Sequence, residues 1–366
     1  MAPVQRALAD LPETQVRVIF AGGISKARLD LGWSVPDLGR AETHTISGNV
    51  EMLTKLAKSS VGVNLIGGLG GAFNTCVLRN LPREANDITG LLLERGIFLG
   101  SLKDRLRPWY HRSLLFSNRA RFDLILAYGS LGVDYYRSLG VPAAKIFPFQ
   151  YQCASGHSTG PVPAGRPARL IYVGGLTYRK GADLLPEALH QLKKYDWNLT
   201  IVGAGPMEHQ MKELFQQGGI EGRTHWLGEI ASDRVASMLA ESDLCIVPSR
   251  HDGWGMAVNE AIDAGLGAIA TPTVGSKDLI LNTQAGAVAN DATAESLADV
   301  LRPFLHDAQR ITLAKRAAVR TRDSFLGNAI AEYMIAVLRH IAGEGPAPLA
   351  PWKQAAARLA SLDLQS

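Results

Sequence analysis

The stretch from Cys245 to Gly265, CIVPSRHDGWGMAVNEAIDAG, carries two carboxylates, Asp252 and Glu260, eight positions apart. An apolar run precedes the polar centre and an apolar segment follows it, which predicts a buried strand, a turn and a helix. Gly253 and Gly255 let a ligand approach the backbone of that turn. The first N–H groups of the helix would point into the same space and favour an anion. The stretch therefore predicts an anion-binding turn flanked by two carboxylates.

A second charged group, Arg179 and Lys180, lies in GGLTYRKGADLL, directly after another apolar run. A guanidinium fork and an ammonium both suit the oxygens of a diphosphate. Gly181 is expected to open the next helix, whose N-terminus favours the same anion. Adjacent basic residues in a loop are often only surface charge. Their place at the carboxyl end of a strand, opposite Asp252, favours the diphosphate site.

Further candidate contacts lie on or near the same helix. Glu260 suits a ribose, because an ionised carboxylate accepts hydrogen bonds from two neighbouring hydroxyls, and a carboxylate in an apolar helix needs such a partner. The N–H groups from Gly253 to Met256 would face a sugar, with Trp254 either as a wall or as a core residue. TPTVGSKDLI supplies one more helix N-terminus, at Gly275 and Ser276, toward the phosphates.

The elements that must position these residues are regular in the second half of the chain. Short apolar runs recur at near-even intervals and alternate with helical patterns, which predicts a parallel, doubly wound sheet. The runs are Leu170–Val173, Leu199–Val202, His225–Leu227, Leu244–Val247 and Ala268–Ala270.

The first half is predicted to be a second α/β domain, with less regular spacing. Val16 to Phe20 reads as a strand, and the Gly22 and Gly23 that follow it suit either a phosphate cradle or an ordinary tight turn. Residues 24–47 are expected to form a loop at the carboxyl edge of the sheet, where open α/β sheets bind ligands. Its candidate ligand contacts, each also readable as loop surface, are Lys26, Trp33 and His44. Later strands are predicted at Val61–Ile66, Asp123–Tyr128 and Lys145–Phe149, and helices at Gly48–Ser59 and Leu131–Leu139.

The segment CASGHSTGPVPAGRPA, from Cys153 to Ala168, is rich in Gly, Pro and Ser and has no apolar period, as is typical of a linker. A chain of 366 residues suits two domains that each bury a core. We therefore expect a first domain at 1–152, a linker at 153–168 and a second domain at 169–330.

Composition limits the class of protein. The net charge of +4 is too small to imply nucleic acid by itself. Three distant cysteines without C-x-x-C spacing indicate a reducing compartment and argue against structural zinc. No window is apolar over the length of a spanning helix. We expect a cytoplasmic protein, free or bound at a surface, with no metal cluster.

Residues 95–121 differ from the rest of the first half. They carry seven Lys or Arg against one acid, Asp104, interleaved with aromatic residues. Such a segment suits an anionic bilayer, and a solvated helix face is an equally simple interpretation. No groove-reading motif accompanies it, so nucleic acid is disfavoured.

The acid-x7-Glu pattern in PSRHDGWGMAVNEAIDAG resembles the donor-binding signature of retaining, nucleotide-sugar-dependent glycosyltransferases of the GT-B fold, in particular family four, the group 1 glycosyl transferases. Most members carry Glu where this chain has Asp252. The resemblance covers the second half almost completely and the first half loosely. It implies two Rossmann-like doubly wound domains that face each other across a cleft. The first domain would bind the acceptor and the second the nucleotide sugar, with the terminal residues 331–366 packing back on the first domain.

The resemblance also implies roles. Arg179 and Lys180 would bind the donor diphosphate and neutralise the departing nucleotide, and Glu260 would bind the ribose. IVGAGP, with Gly205, and WLGEI, with Glu229 and Ile230, match segments near the nucleobase. Family members commonly carry a His near the transferred sugar; His44 and His111 are the candidates, without a motif.

The leading hypothesis is a retaining hexosyltransferase that uses a UDP- or GDP-sugar, needs no metal, and acts on a saccharide or lipid-linked saccharide in bacterial surface-polysaccharide or glycolipid synthesis. Without an evident base or carboxylate nucleophile, a front-face mechanism is favoured. The alternatives are a nucleotide-sugar epimerase or phosphorylase, and a non-catalytic nucleotide-sugar-binding subunit, since fold does not fix reaction.

Overall fold

A computed structural model describes residues 1–12, 14–24, 29, 37–152 and 166–363. They form two compact units. The first contains the described residues of 1–24 and 37–152 together with 326–351, and the second contains Leu29, 166–325 and 352–363. Most of the predicted linker, at 153–165, and the candidate contacts Lys26 and Trp33 lie outside the described residues.

The first unit contains two parallel sheets. Strands β1 and β2 pair with each other, and β3 to β6 pair in chain order. Strand β5, with the sequence LILAY, is buried along its whole length, as a parallel strand covered on both faces should be. The strands are β1 (Arg17–Phe20), β2 (Glu42–Thr45), β3 (Val63–Gly67), β4 (Ile88–Leu93), β5 (Leu124–Tyr128) and β6 (Ile146–Phe149).

Six helices belong to the first unit. Helix α1 packs on α13, where a side chain on Gly327 would lie 2.5 Å from the carbonyl oxygen of Pro3, so only glycine fits this contact. The helices are α1 (Ala2–Ala9), α2 (Val50–Lys58), α3 (Ala72–Asn80), α4 (Leu102–Ser117), α5 (Gly129–Ser138) and α13 (Gly327–Ile341).

The second unit is built on one parallel sheet with the order β12-β11-β10-β7-β8-β9. The chain runs outward from β7 to β9 and then returns to the other side of β7 with β10. Strands β7 and β10 are neighbours where the strand order reverses, so the loops that follow them lie at the switch point, where such sheets bind ligands. The strands are β7 (Ala168–Val173), β8 (Trp197–Val202), β9 (Thr224–Gly228), β10 (Leu244–Val247), β11 (Gly267–Ala270) and β12 (Gly286–Val288).

Helices cover both faces of this sheet, and the core consists mainly of Leu, Ile and Ala with the buried rings of Trp197 and Phe215. The helices are α6 (Leu184–Gln191), α7 (Glu208–Gln217), α8 (Ser232–Ala240), α9 (Met256–Asp263), α10 (Lys277–Thr283), α11 (Ala294–His306), α12 (Ala308–Thr321) and α14 (Pro351–Asp363).

A buried ion-pair group holds the starts of β7 and β10 together. Asp243, fully buried, accepts two hydrogen bonds from Arg166 at 2.7 and 2.8 Å and lies 3.4 Å from the ammonium of Lys315. Its carboxylate also accepts the backbone N–H of Arg169 at 2.9 Å. A buried charge is stable only when it is paired in this way, and the arrangement fixes the two strands that flank the switch point.

The end of the chain differs from the expectation that 331–366 pack on the first domain. Helix α13 lies in the first unit, but α14 lies with the second. Trp352 is 3% exposed and its ring lies 6.4 Å from that of Trp254, so burial of this aromatic pair draws α14 to the second unit.

Among the described residues, no helix combines the length and the apolar content needed to cross a bilayer.

Candidate functional site at the switch point

The loops after β7 and β10 touch at their backbones. The turn Tyr178–Lys180 ends at Gly181, which is left-handed with φ 63°. A side chain there would lie 1.9 Å from the carbonyl oxygen of Pro248, so only glycine lets the two loops approach this closely. The prediction that Gly181 opens a helix is wrong, because α6 begins three residues later, at Leu184.

The predicted cationic pair meets the predicted turn carboxylate. The ammonium of Lys180 lies 2.6 Å from the carboxylate of Asp252, whose side chain is 12% exposed. The guanidinium of Arg179 donates to the carbonyl of His251 at 3.2 Å, and the N–H of His251 donates back to the carbonyl of Arg179 at 3.2 Å. The two loops thus present two cations and one carboxylate at one end of the sheet.

Arg250, which the sequence analysis did not identify, holds this arrangement in place. Its guanidinium donates to both carboxylate oxygens of Asp183 at 2.6 and 2.7 Å and to the carbonyl of Tyr178 at 3.0 Å. It also lies 3.9 Å from the centre of the Tyr178 ring. All four contacts cross between the two loops, so Arg250 is a positioning residue for Arg179 and Lys180. Nothing in the sequence pairs PSRHDG with TYRKGAD.

The start of α9 presents unused hydrogen-bond donors. Gly255 is left-handed, with φ 92°, and precedes the first helical residue, Met256. Within the described part of the chain, the N–H groups of Gly253, Gly255 and Met256 donate no hydrogen bond. Both glycines are buried residues, and buried backbone donors are nearly always paired in folded proteins. A turn with three unpaired donors at a helix N-terminus, two of them on buried residues, suits an anion.

Gly275 and Ser276 do not supply the phosphate-facing amides that were predicted. The N–H of Gly275 donates to the carbonyl of Asp252 at 3.2 Å, and that of Ser276 donates to the carbonyl of Trp254 at 2.7 Å. The Ser276 hydroxyl donates to the carbonyl of Gly255 at 2.9 Å. These donors are used within the protein, so the two residues support the turn instead.

Trp254 is a core residue and not a wall of the site. Its side chain is 1% exposed, and its indole N–H donates to the side-chain oxygen of Asn259 at 2.5 Å. A tryptophan whose ring and N–H are both satisfied inside the fold has no face left for a sugar.

Glu260 lies on α9 and is half-buried. No hydrogen-bond partner for its carboxylate exists among the described residues. Burial raises the pKa of Glu260, the positive charge of Lys180 acts against that increase, and Asp263 adds to it. A half-buried carboxylate without a partner is unfavourable by itself, and two adjacent ligand hydroxyls would satisfy it.

Three further predicted contacts follow the neighbouring strands at the same sheet edge. Gly205 comes after β8, and a side chain there would lie 2.5 Å from the carbonyl oxygen of Leu176, so this glycine allows close packing of two loops. Glu229 and Ile230 follow β9; the former is exposed and the latter half-buried. Because parallel strands end at one edge, these residues continue the edge that carries Arg179.

The predicted contacts in the first unit are separate features. Gly22 and Gly23 are exposed, and a side chain on either would meet only open space, so no close approach requires glycine there. His44 pairs with Glu42 at 2.7 Å. His111 lies 2.8 Å from the hydroxyl of Tyr135, and burial lowers the pKa of His111.

His111 lines a cavity of ≈ 960 Å³ in the first unit. Glu94, at the end of β4, lines the same cavity, as do the stacked rings of Tyr128 and Tyr151, 4.1 Å apart. Glu94 was not among the predicted site residues, although it is the first charged residue after the apolar run of β4. Aromatic rings with a carboxylate are suited to a sugar.

Among the described residues, no group of three or more His, Cys, Asp or Glu is arranged to hold a metal ion. Burial raises the pKa of the Cys245 thiol, which keeps it protonated and unreactive.

Residues 161–322 match the family described as glycosyl transferases, group 1. WcaL of Salmonella typhimurium, named for colanic acid biosynthesis, is 27% identical over 235 residues, which are 60% of this chain and 57% of WcaL. The amylovoran biosynthesis glycosyltransferase AmsK of Erwinia amylovora is 29% identical over 167 residues, 43% of this chain and 41% of AmsK. The matched segment therefore spans a little more than half of WcaL and less than half of AmsK.

Solved structures extend the likeness to both units. The crystal structure of Anabaena HepE in complex with UDP superposes with a TM-score of 0.65 at 16% identity, over 89% of this chain and 100% of that one. The lipopolysaccharide outer core galactosyltransferase WaaB gives a TM-score of 0.66 at 13% identity, over 89% and 99%. At such identities the likeness concerns the fold. Residues 161–322 thus resemble the group 1 glycosyl transferases, and the chain has the GT-B fold of two Rossmann-like domains.

Proposed function

We propose that this chain is a retaining glycosyltransferase of family 4 that transfers a hexose from a UDP- or GDP-sugar to a saccharide or lipid-linked saccharide. The observation that carries the proposal is the set of unused donors at the start of α9, the N–H groups of Gly253, Gly255 and Met256, beside the Lys180–Asp252 pair. A diphosphate would satisfy these donors and the two cations together.

The other predicted site residues would bind the ribose, the nucleobase and the sugar of the donor along the same edge of the sheet. Glu260 would accept hydrogen bonds from the two ribose hydroxyls, which would satisfy its unpaired carboxylate. The segments that contain Gly205, Glu229 and Ile230 would lie beside the nucleobase. Asp252 would orient the hydroxyls of the sugar once the diphosphate takes over part of its pairing with Lys180.

Arg179 and Lys180 would act chiefly on the leaving group. When the bond from the anomeric carbon to the phosphate oxygen breaks, negative charge grows on the nucleoside diphosphate. Fixed cations and amides aimed at that charge stabilise the transition state more than the ground state.

The names of related proteins support the biosynthetic setting. WcaL is named for colanic acid biosynthesis, AmsK for amylovoran biosynthesis and WaaB for the lipopolysaccharide outer core, and the HepE crystal contains UDP. We propose that this chain works in polysaccharide or glycolipid assembly in the cytoplasm, at the membrane surface when its acceptor carries a lipid. The cavity with Glu94, Tyr128 and Tyr151 is the proposed acceptor site.

Binding of nucleotides tests the proposal directly. Thermal unfolding should be measured with UDP, GDP, ADP and their sugars; a ligand at a hundred times its Kd stabilises the native state by about 2.7 kcal/mol, which corresponds to several degrees. We expect one base to stand out, and the matching sugar nucleotide to be consumed when an acceptor is added. A chain that none of these compounds stabilises would contradict the donor site, and binding without transfer would favour a non-catalytic subunit.

The anomeric configuration should be retained. In the proposed front-face reaction, the bond from the anomeric carbon to the phosphate oxygen breaks as the acceptor oxygen bonds to that carbon on the same face. The acceptor proton moves to the departing phosphate oxygen. Proton NMR of the first product should show the donor's anomer, whereas the opposite anomer would refute this mechanism.

Activity should survive chelation. Arg179 and Lys180 supply the positive charge that a divalent cation provides in other transferases. Turnover in excess EDTA should equal turnover in Mg²⁺ within about twofold. A complete loss in EDTA that Mg²⁺ or Mn²⁺ reverses would overturn this expectation.

A further inference from the structure

Helix α4 exposes an apolar stripe along its whole length. Leu102, Leu106, Trp109 and Phe116 are 72%, 58%, 71% and 65% exposed. They recur at spacings of four, three and seven residues, which places them on one side of a helix. Large apolar side chains at this exposure are ordinary when single, but four of them on one helix face mark an interaction surface.

Cations flank this stripe on both sides. The side chains of Arg105 and Arg112 are exposed on one flank and that of Lys103 on the other, and Arg119 lies 4.1 Å from the ring of Phe116 beyond the helix end. Neither Arg105 nor Arg112 has a side-chain hydrogen bond or ion pair among the described residues. Long basic side chains beside an apolar row can reach lipid phosphates while the row enters the acyl boundary.

The one acid of residues 95–121 does not weaken this positive surface. Asp104 is 6% exposed and forms a capping box with Ser101, and its carboxylate also accepts the N–H of Leu99 at 2.9 Å. The opposite side of the helix is fixed by Leu115, which belongs to the core of the first unit. The stripe is therefore presented by a rigid element and needs no unfolding to be exposed.

We propose that α4 is a membrane-binding helix that lies in the plane of an anionic bilayer, with Leu102, Leu106, Trp109 and Phe116 inserted below the headgroups and the flanking arginines on lipid phosphates. A second copy of this chain would not suit the stripe as well, because its cationic flanks would repel their own image across a symmetric contact. The inference deepens the membrane setting of the proposed function, on which its biological meaning rests, but the contact itself requires no chemistry at the donor site.

Flotation with phosphatidylcholine vesicles that contain 30% phosphatidylglycerol tests the helix. Arg105→Gln with Arg112→Gln should weaken binding about 30-fold, since each surface cation is worth about fivefold, and Leu106→Glu with Trp109→Glu should abolish it. The matched control is Leu313→Glu with Arg316→Glu, which changes an exposed Leu and Arg on α12 of the second unit and should bind as wild type.

The unfolding temperature and the stabilisation by nucleotide show whether a variant has lost only membrane binding, or has also lost its fold or its donor site. Every variant should unfold at the wild-type temperature within about 2 °C and keep the same stabilisation by the nucleotide. The proposal would be overturned if the wild-type protein did not float with the anionic vesicles. It would also be overturned if the Leu106→Glu, Trp109→Glu variant floated as well as the control. Equal binding to pure phosphatidylcholine vesicles would overturn the role of the arginines, and a stripe-dependent dimer without vesicle binding would assign it to a second copy.

Discussion

Lys180→Ala should lower kcat by about 10²–10³-fold, with a smaller change in the KM for the donor, because removing one donor aimed at developing charge costs that much in comparable sites. The ammonium of Lys180 lies 2.6 Å from Asp252, between the loops that follow β7 and β10. No other described lysine shares that position. Steady-state kinetics with the donor identified by thermal unfolding would measure the effect, and Lys193→Ala, an exposed lysine after α6, is the matched control.

A second variant separates catalysis from the loss of an ion pair. Lys180→Ala leaves the carboxylate of Asp252 without its cation, and that alone could distort the turn. Asp252→Asn combined with Lys180→Ala removes the unpaired charge. Because Asp252 is itself proposed to orient the sugar, Asp252→Asn alone is the reference for the double variant. If the double variant were no slower than Asp252→Asn, the lysine would serve only the local structure; we expect it to be slower by about the factor that Lys180→Ala loses from the wild type.

Glu260→Gln should reduce nucleotide affinity by about 100-fold, because two charge-assisted hydrogen bonds to a ribose become weaker neutral ones. In the absence of nucleotide, the same substitution should stabilise the protein. The carboxylate of Glu260 has no partner among the described residues, so its neutral replacement should raise the free energy of unfolding. Binding and unfolding measured on the same variant give both results. Unchanged affinity would remove Glu260 from the donor site, and Glu187→Gln on the exposed side of α6 is the control.

The raised pKa of Glu260 fixes the sign of two pH dependences. The folded-state pKa lies above the unfolded value because of burial, so ionisation opposes folding. This contribution to stability is fully present below the unfolded pKa and is lost as pH rises through the folded one. The affinity for the donor should have the opposite pH dependence. It should fall as the pH drops through the pKa of Glu260, because the ribose hydroxyls bind the ionised carboxylate. In Glu260→Gln both slopes should disappear.

The sequence alone determined the second unit well, because a parallel strand buried on both faces must be a short, continuous apolar run. Leu244–Val247 matches β10 in full, and the runs at 199–202 and 268–270 lie within β8 and β11. Asp252, Arg179, Lys180 and Glu260 could be identified because charged residues next to buried strands and in apolar helices are costly to desolvate unless they bind a partner. The first unit was less readable, and neither β4 nor α3 was predicted: β4 contains Gly90, and α3 follows the glycine-rich stretch at 67–71.

Only the tertiary structure decided which of the candidate residues remain available to a ligand. Residue type and position predicted ligand contacts at Gly181, Gly275 and Trp254. In the structure, their backbones or rings pack against other parts of the protein and are not available to a ligand. The role of Arg250 could not be found from the sequence for the same reason. The sequence indicated the basic, aromatic segment 95–121, but only the structure showed which of its apolar side chains are exposed on one face of α4. Composition specifies charge and apolar content, whereas which side faces a neighbouring element depends on long-range packing that no local pattern contains.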